Sequence, residues 1–377
     1  MNKKVLLTIF IGLFSFLLSG CWNYISLDQM ALVTGIAIDN NKEINGYHLT
    51  FEIIDIAKSS KENGIKTTYV ESDGKTLFDA IRNAKKRVTD KLYFSNAQIV
   101  ILNKDIAKEE GVYGIINWFL RDAETRETLN LIISKEQSAK DIIMKKGVDN
   151  VINSYEIKEI INEDNEITSS TINAEMYQIY NILNNHTKSL SLPVVHCVIN
   201  AGQQAVESNG IATFDGDKLM GFLSPEETKY FLFITGKSKG GILTVNTTNK
   251  KADNISLEIS QVKTTKSFTY KDNLHFTISI KLEVFLAEDN SQKDNLTEKQ
   301  INVVAASAAE KIKGEATKLI RKVQNQYDAD IFGFDEYISQ TDHQLWSAIS
   351  KNWNLIFKSM SFDIKPSVSI VNTAYMK

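Results

Sequence analysis

The residues of this chain best equipped for chemistry are few. Two cysteines stand at 21 and 197, and five histidines at 48, 186, 196, 275 and 343. The histidines are scattered, with no spacing that would close several of them on a metal ion. His196 and Cys197 are adjacent, but neighbours on an extended strand point to opposite faces, so the pair does not chelate. Cys197 lies in the apolar run "LPVVHCVIN", which predicts a buried, inert thiol. Asp164 and Glu166 come closest to a catalytic pair of carboxylates. They lie in "INEDNEITSSTIN", an acidic, turn-like stretch that reads as a solvated loop with no pocket beside it. Cys21 stands apart, because in "LLSGCWN" it follows directly on the most apolar run of the chain.

The elements around Cys21 say what its thiol is for. Lys3 and Lys4 make a short basic start, and Val5 to Leu18 form a nearly unbroken apolar run of fourteen residues. That is the length of a signal-peptide core and short of the about 20 residues that a membrane-spanning helix needs. Ser19 and Gly20 are small enough to let an extended backbone enter a peptidase cleft. Leu18-Ser19-Gly20-Cys21 resembles the lipobox of bacterial lipoproteins. The resemblance implies that residues 1–20 are a lipoprotein signal peptide cleaved after Gly20. Cys21 would then carry N-palmitoyl and S-diacylglycerol groups. Each buried methylene adds about 0.8 kcal/mol, and two or three acyl chains hold a protein on a bilayer where one is marginal.

Composition limits the remainder. The whole chain has a net charge of −3; without the two leader lysines, 41 basic residues face 46 acidic ones, a net −5. This balance gives no electrostatic footprint for nucleic acid and no long-range attraction to an anionic membrane, so lipid must supply the membrane affinity. With Cys21 acylated, Cys197 has no disulfide partner. Three prolines exclude a proline-rich stalk. No cofactor-binding motif and no metal-ligand set is found, and the chain reads as a non-enzyme.

The element pattern is α/β (α+β): three small mixed-sheet domains with helices packed on the sheets, behind the signal peptide. Boundaries fall at 21–135, 136–237 and 238–377. In the first domain "ALVTGIAID" (31–39) and "YHLTFEII" (47–54) read as strands joined by a turn at Asn45-Gly46. In the second strand Tyr47, Leu49, Phe51 and Ile53 share one face. His48, Thr50 and Glu52 share the other, which is expected to be wet. A helix over 76–88, a strand over 97–102, a helix over 111–122 and a strand over 129–135 complete a β-β-α-β-α-β order. The second domain is mainly helical until "PVVHCVIN" returns to strand, followed by a hairpin at Asp215-Gly216. Ser224, Pro225 and Glu227 make a capping-box start for a helix over 224–236. In the third domain "LHFTISIKLEVFL" alternates strictly, predicting a long strand with one buried face and His275 on the other. Thr297 and Gln300 cap a helix running to about Tyr327, with an apolar stripe from Ile301 to Tyr327. The last aromatic set, including Phe332, Phe334, Trp346 and Trp353, can be read as an exposed docking surface or as a satellite core. "SFDIKPSVSIV" closes the chain as a strand.

Two stretches carry a family resemblance. Cys21-Trp22 followed by "LDQMALVTGIAIDN", with Thr34, Gly35 and Asp39 in a strand ending Thr-Gly-x-x-x-Asp, resembles the start of the Ger(x)C family. That family is the C subunit of GerA-type spore germinant receptors. "DADIFGFDEYISQTDHQLWSAISKNW" is similar to the family's C-terminal signature, with Asp330, Phe332, Gly333, Phe334, Trp346, Asn352 and Trp353 in matching places. The chain departs from the family after Trp22, carrying Asn23-Tyr24 in place of an acidic residue and an arginine. The resemblance implies a three-domain α/β lipoprotein on the outer face of the spore inner membrane, with no catalytic residues. It also implies work in assembly or signalling beside integral-membrane A and B subunits. Trp346 and Trp353 are the candidate partner-docking residues. A solute-binding lipoprotein of an uptake system would share the lipobox and α/β domains, and would show a deep ligand cleft between domains. A cell-wall hydrolase would need paired carboxylates lining one pocket, and no such constellation is evident.

Overall fold

The computed structural model describes residues 29–373 apart from 57–58, 61–63, 146–151, 186–188, 247–253, 291–296 and 328, together with residues 3, 5 and 26. The chain runs β1 (Met30–Asn41), β2 (Gly46–Ile54), β3 (Thr67–Gly74), α1 (Leu77–Ala84), β4 (Lys91–Tyr93) and β5 (Ile99–Asn103). It continues through α2 (Lys104–Glu109), α3 (Tyr113–Arg121), β6 (Asn130–Ser134), α4 (Ala139–Ile143), α5 (Asn153–Ile167) and α6 (Met176–Leu183). Then come β7 (Ser191–Asn200), β8 (Gln203–Asp215), β9 (Lys218–Leu223), α7 (Pro225–Thr235), β10 (Ile242–Asn246), β11 (Asn254–Tyr270) and β12 (Leu274–Asp289). The chain ends with α8 (Glu298–Gln326), α9 (Phe334–Thr341), α10 (His343–Ile349), α11 (Trp353–Ser359) and β13 (Ser361–Thr373).

The expected α/β class with helices on mixed sheets holds, but the described strands form two sheets where three were expected. The first has nine strands in the order β3-β2-β1-β5-β6-β7-β8-β9, with β4 paired to β1. Its centre, β1-β5-β6-β7, is parallel, and antiparallel strands flank it on both sides. The division drawn at 135/136 falls inside this sheet, because Ile133 and Ser134 of β6 pair with Val194 and Val195 of β7. Only the division near 237/238 coincides with a change of sheet. The parallel strands explain the runs "IVILN" and "NLIIS", every residue of which is buried. A strand covered on both faces reads as continuous hydrophobics rather than as an alternation. Val100 and Leu102 pack with α1, α2, α3 and α6 on one face. Ile99 and Ile101 pack with Ile142, Ile143, Ile157 and Ile161 of α4 and α5 on the other.

That second layer overturns one expectation. The face of β2 with His48, Thr50 and Glu52 is not wet: Thr50 and Glu52 are buried beneath α4 and α5. His48 is half-buried, its Nδ1 2.7 Å from Asp73 and its Nε2 3.2 Å from Glu71. Strands β3 and β4 were also missed, as was α2. The stretch over 161–173, expected as loop, is helical as far as Ile167.

The second sheet, β10-β11-β12-β13, is antiparallel except for its last pair, which α8 to α11 cross over to make parallel. Leu274, Phe276, Ile278, Ile280, Leu282 and Val284 of β12 are buried as the alternation required. Against them lie Ala308, Ile312, Ala316, Leu319 and Val323 of α8. Helix α7 has its capping box, its proline in the first turn and Gly236 as a left-handed C-cap at φ 70°. Residues Tyr230 to Ile234 are all buried in a core shared by Ile211 and Leu223 of the first sheet and by the whole second sheet. A short helix apolar on every side is one enclosed between layers.

Candidate functional site at the junction of the two sheets

Thr34, Gly35 and Asp39 lie on β1, where the start of a helix is seated against the sheet beside each, by Asp39 directly and by Thr34 through Glu52. Asp39 accepts hydrogen bonds from the backbone N–H groups of Ala139 (2.7 Å) and Lys140 (2.9 Å), from Ser138 Oγ (2.9 Å) and from Asn103 Nδ2 (2.8 Å). It is therefore a long-range cap for α4, satisfying donors that a helix start leaves open. Thr34 Oγ1 donates to Glu52 Oε2 at 2.9 Å. The Glu52 carboxylate in turn accepts from the N–H groups of Asn153 and Ser154, both 2.9 Å, and from Ser154 Oγ at 2.5 Å. A buried carboxylate is tolerated when it is hydrogen-bonded at a helix's positive end. Gly35 completes the arrangement by having no side chain: a Cβ there would stand 2.5 Å from Ser154 Cβ.

The same device recurs at the junction. Asp330 is buried and accepts from the N–H groups of Phe332 (2.8 Å), Phe334 (2.6 Å) and Asp335 (2.9 Å). It thus starts α9, while Gly333, at φ 67°, takes the left-handed conformation that the sharp entry requires. Lys266 of β11 donates to Phe332 O at 2.7 Å, and its Nζ lies 5.1 Å from the centroid of the Phe334 ring. Burial lowers the Lys266 pKa and raises that of Asp330, whose three N–H partners and whose proximity to Lys266 oppose the rise. Asp335, half-buried beside them, is pushed up to about 8, first by burial and then by the Asp330 charge.

This loop forms one wall of a cleft of about 670 Å³ between the sheets. Asn165, Gln178, Phe231, Lys237, Lys266 and Phe332 contribute to its lining. Lys239, also in the lining, pairs with Glu166 of α5, one residue beyond the lining residue Asn165. The C-terminal end of α5 therefore borders a pocket that its sequence did not announce. Asp164, in contrast, accepts from the Thr168 and Ser170 hydroxyls at the helix end. Among the described residues no group of three or more His, Cys, Asp or Glu side chains could hold a metal ion.

Two family descriptions cover both halves of the chain. "Spore germination protein N-terminal domain" matches residues 23–197, and "Spore germination B3/ GerAC like, C-terminal" matches residues 209–374. The chain belongs to the Ger(x)C family. It is similar to spore germination protein B3 of Bacillus subtilis (strain 168), 24% identical over 94% of each chain. Spore germination protein A3 of the same organism is 26% identical, over 90% of this chain and 89% of its own. The crystal structure of the GerBC protein shares the fold, with a TM-score of 0.60 and 20% identity over 90% of this chain and 97% of that one.

The Ger(x)C signature residues described above are structural. Trp353, expected as a candidate docking residue, is only 6% exposed, and its place is in the core, ring to ring with Phe357 at 6.4 Å. Its Nε1–H is buried without a hydrogen-bond partner among the described residues. Trp346 is half-buried, 5.5 Å from Trp353, so of the two only Trp346 keeps an edge that a partner could reach. Cys21 and Gly20 lie outside the described residues. Cys197 is half-buried, and burial raises its thiol pKa, which disfavours the thiolate that a nucleophile needs. Glu52 was the residue that sequence reasoning missed. The alternation of β2 pointed its side to solvent, and no local signal marks the helix that covers it.

Proposed function

We propose that this chain is the lipid-anchored, non-catalytic C subunit of a spore nutrient-germinant receptor. Acylated Cys21 holds it on the outer face of the spore inner membrane, and it acts in assembly and signalling beside integral-membrane A and B subunits. One observation carries the reading: spore germination families match both halves of the chain, and the residues carrying the likeness hold helices onto sheets. No helix among the described residues is long and apolar enough to cross a membrane.

The test is the native protein taken from spore membranes. Mass spectrometry should find a mature N-terminus at Cys21 carrying acyl groups, and two integral-membrane subunits should co-purify. Cys21→Ala should move the protein to the soluble fraction with an unchanged melting temperature. A mature N-terminus elsewhere, without fatty chains, would defeat the anchor.

The cleft supports a second reading, a ligand-binding role for the same subunit. Calorimetry of residues 22–377 against amino acids and sugars decides it: saturable heat assigns a ligand to the cleft, and its absence leaves the assembly role.

A further inference from the structure

Several polar groups lining the cleft between the sheets are left without partners, and each of them can donate a hydrogen bond. Asn165 of α5 is only 6% exposed, yet its side-chain amide has no hydrogen-bond partner among the described residues. Ser191, at the start of β7, has a buried Oγ that is likewise unpartnered among them. Buried polar groups without partners are costly and rare in folded chains. Lys237, one residue beyond the Gly236 C-cap of α7, is exposed, and its ammonium has neither an ion-pair nor a hydrogen-bond partner among the described residues.

The charges of the lining leave a positive excess. Lys266 donates to Phe332 O at 2.7 Å and has no carboxylate within ion-pair distance among the described residues. Burial lowers its pKa, Asp330 opposes the fall, and the Lys237 charge adds to it, so the two ammoniums lie within electrostatic reach of each other. The acidic groups are taken. Glu175 caps the start of α6, Glu336 accepts from Gln340 Nε2 at 3.0 Å, and Glu166 pairs with Lys239. The remaining walls are largely apolar, with Ile172, Ile179, Leu190, Phe231 and Phe332 among them. A volume of about 670 Å³ falls within the roughly 300–1,000 Å³ usual for small-molecule sites.

We infer that the cleft takes a small carboxylic acid with an apolar body. Its carboxylate, which can only accept, supplies the acceptors that Lys237 and Asn165 lack, and its body lies against the apolar walls. A multiply charged, strongly hydrated anion such as phosphate fits less well, because those walls would strip its water without replacing it. The inference rests on the ligand-binding reading of the cleft given above and names the chemistry of the ligand.

Calorimetry on residues 22–377, the whole chain after the leader, tests it with benzoate and isovalerate, each against its uncharged amide, and with inorganic phosphate. The expected result is saturable heat from at least one carboxylate, none from the amides, and much weaker binding of phosphate. Lys237→Gln should weaken the carboxylate by about tenfold or more, the scale of one hydrogen bond to a charged group. Its melting temperature should not change, because the side chain is exposed. Asn165→Ala should weaken binding too, whereas Lys281→Gln, exposed on β12 and outside the lining, should not. The inference is refuted by the absence of heat from both carboxylates, or by amides or phosphate binding as tightly as the acids. Heat that Lys237→Gln or Asn165→Ala leaves intact, or an equal loss in Lys281→Gln, refutes it as well. The broader reading fails separately. If both carboxylates fail while an amino acid or a sugar gives saturable heat, the cleft keeps a ligand and loses this chemistry; if nothing gives heat, both are lost.

Discussion

Gly35 has no room for a side chain. Ser154 Cβ would lie 2.5 Å and Ile143 Cδ1 3.2 Å from an added methyl, so Gly35→Ala must push α5 away from β1. Overpacking of this kind costs about 1–3 kcal/mol, and a thermal melt should show the loss. Asp39→Ala should cost more, of the order of 3–5 kcal/mol, because four donors would be left without their carboxylate. Asp335 makes a prediction in pH. Its folded-state pKa is raised to about 8 from the ordinary 3.8, so between those values the folded chain binds more protons than the unfolded one. Stability contributed by this group therefore falls as pH rises through that window. Melts from pH 5 to 9 should show Asp335→Asn losing less stability on the alkaline side than the parent. Equal slopes would mean that Asp335 ionises without penalty.

At the scale of elements, the short helices α9 to α11 belong to the core. Phe276, Phe334, Phe357, Trp353 and Trp346 form a chain of rings with centroids 4.6 to 6.4 Å apart. Trp353→Ala should therefore cost about 3–5 kcal/mol and lower the melting temperature by roughly 10 °C. Trp353→Phe should cost much less, since the indole N–H it removes has no partner among the described residues. Trp346→Ala should leave the fold in place; if Trp346 docks a partner, the variant weakens assembly without a comparable fall in melting temperature. The strictly alternating strand β12, the long helix α8 and the boxed start of α7 were legible because each follows one local rule over many residues. The short strands β3 and β4 and helix α2 were not, because pairing with neighbours distant in sequence decides them. Loop 161–173 was misjudged for a related reason: its acidic residues tolerate a helix whose other face is covered by the sheet.

Across the whole molecule, α7 and the end of α8 tie the sheets together. Lys322 of α8 pairs with Glu227 at 2.6 Å, and Tyr327 donates to Phe222 O at 3.2 Å over Gly221. Thr264 of β11 donates to Phe233 O at 2.5 Å. With a core shared across the junction, residues 22–377 should melt in one cooperative transition by calorimetry. Two separated transitions would show that the sheets fold independently.

The order of residues alone determined the mixture of strands and helices, the caps of α7 and α8 and the two family signatures. All of these depend on local composition and spacing. Only the tertiary structure decided that one sheet runs through residue 135, that Glu52 and Trp353 are buried and that a cleft opens at the junction. Each of these depends on which distant surface covers a given face, and one-dimensional periodicity shows that a face is apolar or polar without showing what comes to lie on it.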